Sequence, residues 1–317
     1  MRNFISEDDI EQAILQKLKG DPFQYGILRC DPSPDKRELL PDGTGRSSKK
    51  ECVLPLILRE ALARLNPDIP GEKLEEIARD LCRDFSATDM TATNYKYYNQ
   101  IRNGIKISLR RNGKEDFDFV KLVDFDRPEN NTFTAVSQMW IQGRVYWRRP
   151  DVLIFINGLP MVFVELKNSI VKVEEAYNDN LKNYLRDIPN LFAFNQICVL
   201  SNGLETRLGA FNATYNHFFE WLKVNSEKER PDRQALKEAG TVGESSVRYF
   251  IDGLLRKDRL VDYIENFIMF RNQKNKIIAK NHQYFGVNNL MESVKNRAEL
   301  QGKLGVFWHT QGSGKSF

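Results

Sequence analysis

The sequence predicts an α/β protein: a run of strands set between helices, followed by a strand and glycine-rich loop that open a second unit. Three observations carry that prediction. Between residues 105 and 200, short segments either alternate apolar and polar side chains or run as compact apolar blocks, the two patterns that strands show. Amphipathic stretches of helical period lie on either side of them. The last residues, from Gly305, read as a strand that runs into a glycine-rich loop. A length of 317 residues suits roughly two domains of ~150 residues each.

Each element has its own signal. Glu7 to Leu18 is expected as a helix, because Ser6 can cap it and Ile10, Ile14 and Leu18 share a face. Asp31 to Lys49 is rich in Pro, Asp, Gly and Ser and reads as a long loop. Helices follow at Val53 to Leu65 and Lys73 to Arg83, with Pro55 tolerated in an opening turn. Ile105, Ile107 and Leu109 alternate with polar residues, Asn112-Gly113 supplies a turn, and Phe117 to Val123 reads as the returning strand. Another strand is expected from Thr132 to Met139. Val152 to Ile156 and Met161 to Leu166 bracket Asn157-Gly158, a strong hairpin signal. Val173 to Leu185 reads as a helix, Ile197 to Leu200 as a buried strand, and Leu254 to Phe270 mostly as helix. The polar run Val224 to Glu244 marks a linker or a domain edge, so the boundary is expected near residue 235, with 1–235 as one domain and 236–317 as linker and start of the next.

Composition excludes several classes. No stretch approaches the ~18 apolar residues of a membrane span, and the N-terminus turns acidic at once, without a signal-peptide core. A cytoplasmic protein is expected. Cys30, Cys52, Cys82 and Cys198 form no CxxC pair, which argues against a zinc knuckle or a disulfide framework. The net charge of +4 is a weak pointer to nucleic acid. Two basic clusters, Arg110/Arg111/Lys114 and Arg144/Arg148/Arg149, suit either a phosphate backbone or a solvated face.

The chemistry gathers at Arg149-Pro150-Asp151, the hairpin, and Glu165-Leu166-Lys167. Side chains alternate along a strand, so Glu165 and Lys167 share one face while Val162, Val164 and Leu166 point to the other. Charged groups at the end of a buried strand need a compensating partner, such as a metal ion. Phosphodiester hydrolysis uses a hard cation, for which Asp151 and Glu165 supply oxygen ligands, and Lys167 can stabilise charge on the phosphate. The hairpin register stays open. A three-residue loop sets Asp151 opposite Glu165, whereas two or four residues set it opposite Val164 or Leu166.

Residues 149–168, including Asn157-Gly158-Leu159-Pro160, resemble the PD-(D/E)xK nuclease core of type I restriction enzyme R subunits. Asn130 to Gln138 and Ser201-Asn202-Gly203 are similar to the same family. The resemblance implies a restriction-endonuclease-like mixed sheet flanked by helices, with Asp151, Glu165 and Lys167 catalytic and Asp151 and Glu165 holding Mg²⁺. It further implies that an acidic residue of the first helix, here Glu11, approaches the metal; Arg149, from the second basic cluster, is expected to bind DNA. The family carries a Gln-x-x-x-Tyr element on the next helix for DNA contact. Here Tyr184 matches the tyrosine, while Asn180 stands where the family has glutamine, with a shorter reach.

His309-Thr310-Gln311-Gly312-Ser313-Gly314-Lys315-Ser316 matches the end of a phosphate-binding loop, with His309 in place of its first glycine. Backbone N–H groups around Gly312, Ser313 and Gly314 would cradle phosphates, Lys315 would reach the β- and γ-phosphates, and Ser316 would hold Mg²⁺. This resembles the first motif of superfamily 2 motors, whose fold is RecA-like. His282-Gln283-Tyr284-Phe285 resembles the element whose glutamine reads adenine. The expectation is therefore a type I site-specific deoxyribonuclease subunit, a fragment ending short of a working ATPase. In full length it would use ATP to pump double-stranded DNA and would assemble with methyltransferase and specificity subunits. Two rival readings are an idle nuclease fold that docks DNA or a subunit, and a nuclease–helicase of DNA repair.

Overall fold

The computed structural model describes residues 4–83, 89–111 and 114–306. α1 (Glu7–Lys19) opens with a capping box: the Ser6 hydroxyl accepts from the Asp9 N–H at 3.1 Å, and the Asp9 carboxylate accepts from the Ser6 N–H at 3.0 Å. β1 (Gly26–Arg29) follows, then α2 (Pro55–Leu65), α3 (Gly71–Cys82) and α4 (Met90–Asn103). β2 (Ile105–Arg111) and β3 (Lys114–Val120) pair as a separate hairpin. The centre of the chain supplies β4 (Phe133–Ser137), β5 (Ile141–Gln142), β6 (Trp147–Arg148), β7 (Val152–Ile156) and β8 (Leu159–Leu166). α5 (Val173–Glu175), a π-helical turn (Ala176–Leu181) and α6 (Lys182–Asp187) form one continuous but irregular helix. After β9 (Ile197–Ser201), β10 (Thr206–Gly209) and β11 (Phe219–Glu220) come α7 (Arg233–Lys237), α8 (Ser246–Leu254), α9 (Lys257–Asn266), β12 (Ile268–Arg271), β13 (Asn275–Ile278) and α10 (Asn281–Lys295).

Seven strands build the main sheet in the order β1-β4-β7-β8-β9-β10-β11. β1 with β4 and β8 with β9 are parallel, and the other neighbours are antiparallel. The mixed, helix-flanked sheet is the one expected. Its alternation sorts side chains into two cores. Ile154, Val162, Val164, Leu166 and Val199 face α1 and α8, whereas Leu153, Phe163, Cys198 and Leu200 face the α5–α6 side. The predicted pairing of Val162, Val164 and Leu166 on one face is what the structure shows.

Several elements were not anticipated, β1 and α4 among them. β1 is only four residues long, too short for its alternation to register. α4 buries Asn94, Tyr97, Tyr98 and Ile101, a polar and aromatic stripe that does not read as an apolar face. The stretch expected as mostly helix from Leu254 to Phe270 divides instead into the end of α8, all of α9 and the start of β12. Pairing with β13 takes residues 268–271 into a hairpin, a tertiary preference that overrides local helical pattern. Helices α8 and α9 pack on the same core as the sheet: Tyr25 Oη donates to the Leu255 carbonyl at 2.7 Å, and Lys17 pairs with Asp252 at 3.0 Å. All four cysteines are free thiols. Among the described residues no helix is long and apolar enough to cross a membrane.

The central hairpin resolves its register by an unexpected route. Its turn has two residues, Asn157 and Gly158, both at positive φ (52° and 81°), as a type I′ turn requires. A Cβ on Gly158 would meet the Leu54 carbonyl at 2.6 Å, so glycine is needed there on both counts. Asn157 is buried and fully used: its amide donates to the Leu122 carbonyl and to Asn131 Oδ1, and its Oδ1 accepts from the Thr132 N–H. A bulge then shifts the register between Ile154 and Phe155, so Val152 pairs with Val164. The two-residue turn plus the bulge equals a three-residue offset, and continuing that register sets Asp151 across from Glu165.

Candidate active site

Asp151 and Glu165 meet where β7 begins and β8 ends. The Asp151 Oδ2 accepts from the Leu166 N–H at 2.7 Å, which locks the carboxylate against the edge of β8. Burial pushes its carboxyl up to about 7, partly offset by that backbone donor, with Glu7 and Glu11 adding to the rise and Lys167 opposing it. Glu165 is 2% exposed. Burial and then the charge of Asp151 hold its carboxyl well above the usual carboxylate range, against the pull of Lys167, Tyr184 and Asn180. Its Oε1 accepts from the Asn180 side-chain amide and lies 3.8 Å from Lys167 Nζ. Its Oε2 is buried without a hydrogen-bond partner. A buried carboxylate oxygen left bare costs free energy unless something positive sits against it.

The irregular helix positions the supports. Asn180 lies in the π-helical turn and Tyr184 in α6. Tyr184 is buried, with its hydroxyl donating to the Arg149 carbonyl at 3.0 Å and lying beside the Glu165 carboxyl. A π-bulge rotates the side chains that precede it relative to those that follow. Asn180 and Tyr184 thus converge on Glu165, with Tyr184 6% exposed. Arg149 stacks on Trp140, with its guanidinium 5.1 Å from the ring centre, and donates to the Pro32 carbonyl.

Glu11 comes to the same neighbourhood from α1. It is buried, its carboxyl is raised by burial, and it accepts a hydrogen bond from the Gln138 amide. Among the described residues no group of three His, Cys, Asp or Glu is arranged to hold a metal. Gln138 escaped the sequence reading. It follows β4 at a positive φ of 58°, its N–H donates to the Asp151 carbonyl at 3.0 Å, and its Oε1 is buried without a partner. The signal available was its place at the end of the family-like stretch Asn130 to Gln138. Glu165 Oε2 and Gln138 Oε1 are thus both buried without a partner, and carboxylate and amide oxygens are the donor chemistry that a hard divalent cation takes.

Gln283 sits in the first turn of α10, where its Oε1 accepts from the Lys280 N–H at 2.7 Å. It lines a hollow of about 820 Å³ between the β12–β13 hairpin, α10 and residues 210–219. Gly312, Ser313, Gly314, Lys315 and Ser316 lie outside the described residues.

Known proteins resemble this chain over nearly all of its length. The family description "Type I restriction enzyme R protein N terminus (HSDR_N)" matches residues 4–217, and "SWI2/SNF2 ATPase" matches residues 282–317. The Type I restriction enzyme HindI endonuclease subunit of Haemophilus influenzae is 33% identical over 98% of this chain and 29% of its own length. A Methanocaldococcus jannaschii protein with a provisional name of the same kind is 30% identical over 97% of this chain and 30% of its own length. The Type I restriction enzyme SauCOLORF180P endonuclease subunit of Staphylococcus aureus is 28% identical over 67% of this chain and 21% of its own length. The chain thus spans about three tenths of the length of the first two relatives.

Proposed function

The chain belongs to the type I restriction enzyme R protein family, as its N-terminal part, and from that premise we propose that it is a magnesium-dependent endonuclease acting on double-stranded DNA. The observation that supports this most is the bare, buried Oε2 of Glu165 beside Asp151. Asp151 and Glu165 would hold the cation, with Glu11 and Gln138 close by. When bound, Mg²⁺ supplies Lewis acidity toward a phosphate oxygen and lowers the pKa of water.

The chain's own residues do the rest. Asn180 fixes one carboxylate oxygen of Glu165 so that the other points free, and Tyr184 ties the helix to the Arg149 carbonyl ahead of Asp151. Lys167 leaves β8 on the face of Glu165, its side chain 18% exposed, where its ammonium stabilises negative charge gathering on a phosphate. Arg149 would serve as a phosphate contact. In the full subunit, Gln283 and the loop from Gly312 to Ser316 would bind ATP, and translocation of DNA would precede cleavage within a cytoplasmic complex containing methyltransferase and specificity subunits.

Nicking of supercoiled plasmid with Mg²⁺ tests the reading. The wild-type chain should nick or linearise the plasmid, and Asp151→Ala and Lys167→Ala should abolish that activity while keeping the thermal melt of the fold. Cleavage that survives either substitution would show that the scissile chemistry resides elsewhere.

A further inference from the structure

The β5–β6 hairpin has no role in holding the carboxylates, yet it is rigidly built and runs directly into Pro150 and Asp151. Its base is fastened on two sides. The Gln142 N–H donates to the Lys49 carbonyl at 2.9 Å, and Arg46 donates to the Trp140 carbonyl at 3.1 Å. Arg46 and Lys49 are themselves held by Asp42, each at 2.7 Å. On the other side Gly143 presses so close to the end of α6 that a Cβ there would lie 1.9 Å from the Asp187 carbonyl oxygen. The base is thus clamped between the 31–52 loop and α6.

The tip is the opposite. Arg144 is exposed, Val145 is 76% exposed and Tyr146 is 55% exposed. Arg186 lies over the Tyr146 ring at 5.9 Å. Beneath the tip runs a groove of about 850 Å³ that Lys50, Arg144 and Arg186 line. The one carboxylate in that groove, Asp187, is already neutralised by Arg148 at 2.8 Å and Arg186 at 2.7 Å, so the groove carries a net positive charge. An apolar and aromatic tip with cations around its base is a surface matched to a polyanion whose groove also offers sugar rings and base edges.

We propose that the β5–β6 hairpin is a DNA-gripping element, with Arg144 on the phosphate backbone and Val145 and Tyr146 against the groove of the duplex flanking the site at Asp151. Because only Arg149 and Pro150 separate β6 from Asp151, the grip sets where the backbone lies relative to the carboxylates. This rests on the nuclease reading for its purpose but not for its measurement.

Binding of a fluorescently labelled duplex to the whole chain, followed by anisotropy in EDTA across a salt series, separates the two. Tyr146→Ala should weaken binding by roughly three- to tenfold. Arg144→Ala should weaken it and flatten the slope of log Kd against log salt by about one, and Arg144→Lys should restore that slope. Phe117→Ala, which removes an equally exposed aromatic on β3, should leave binding unchanged. Wild-type binding that is indifferent to all tip substitutions overturns the proposal and leaves the nuclease reading standing. Tip-dependent binding without Mg²⁺-dependent plasmid cleavage upholds the hairpin and passes the nuclease reading to the same cleavage assay on the assembled full-length complex. A wild-type chain that does not bind the duplex at all also overturns the hairpin's role.

Discussion

Two buried ionisable groups in this molecule have opposite surroundings. Lys276, on β13, is 4% exposed. Its ammonium has three protons and meets three acceptors: Asn94 Oδ1 at 3.1 Å, the Asn195 carbonyl at 2.5 Å and Gln196 Oε1 at 2.9 Å. Burial holds its pKa well below the usual lysine range. Glu165 is buried as deeply, yet one of its oxygens is bare and the nearest cation, Lys167, stands at 3.8 Å from the other. A buried ionisable group whose hydrogen-bonding valences are all met is a fastener, here between the β12–β13 hairpin and the start of β9. A buried ionisable group left short of partners is a site with room for one.

Substitutions can break that contrast. The largest effect is expected from Glu165→Ala, which removes the oxygen donor itself. Mg²⁺-dependent plasmid cleavage should fall by roughly a thousandfold or more, while the metal-free melt holds or rises. A variant that keeps a tenth of wild-type cleavage would mean that Glu165 is only a structural acid. Lys276→Ala should do the reverse. Stripping three acceptors of their donor and opening a cavity should cost about 2–4 kcal/mol of stability, read by urea denaturation, and a cost below ~1 kcal/mol would deny the fastener role.

Asn180→Ala should lower cleavage by about tenfold, the usual scale for a group that orients a ligand, and Asn180→Gln should recover part of it. Equal losses in both variants, with the melt lowered alike, would mark Asn180 as merely a packing residue. The smallest effect sharpens the electrostatics. The Asp151 carboxyl is raised from 3.8 to about 7, so the stability it contributes is complete below the unfolded value of 3.8 and is lost as the pH rises through about 7. Asp151→Asn is relieved of that loss. In EDTA its Tm should exceed the wild type by more at pH 8 than at pH 5, at about 2–4 °C for each kcal/mol. A difference that does not grow with pH would mean that Asp151 is not strained by burial.

The outcome at the hairpin shows how much of the site was legible beforehand. Asn157-Gly158 announces a turn by itself, because only those residue types accept two successive positive φ values cheaply. Glu165 and Lys167 announce a shared face because side chains alternate. The opposition of Asp151 to Glu165 was not legible, since it needs a bulge between Ile154 and Phe155 that no local pattern encodes. Tyr184 and Asn180 were legible as a pair on one helix, but their turn onto Glu165 depends on the π-helical segment between residues 176 and 181. Gln138 was hidden for a similar reason: an amide signals nothing until its neighbours are known.

By itself, the sequence determined the elements whose periodicity is strong, the turn chemistry, the pairing of acidic and basic residues with β8 and the family to which they belong. These are local properties, set by backbone preference and by the spacing of apolar residues. The tertiary structure alone decided which buried groups are satisfied and which are not. Lys276 finds its three acceptors on α4 and at the start of β9, 80 or more residues away in the chain, and Glu165 owes its raised pKa to desolvation by the sheet, the irregular helix and Asp151 together. Desolvation and long-range pairing depend on what the fold brings close, so no reading of neighbours along the chain could have told the fastener from the site.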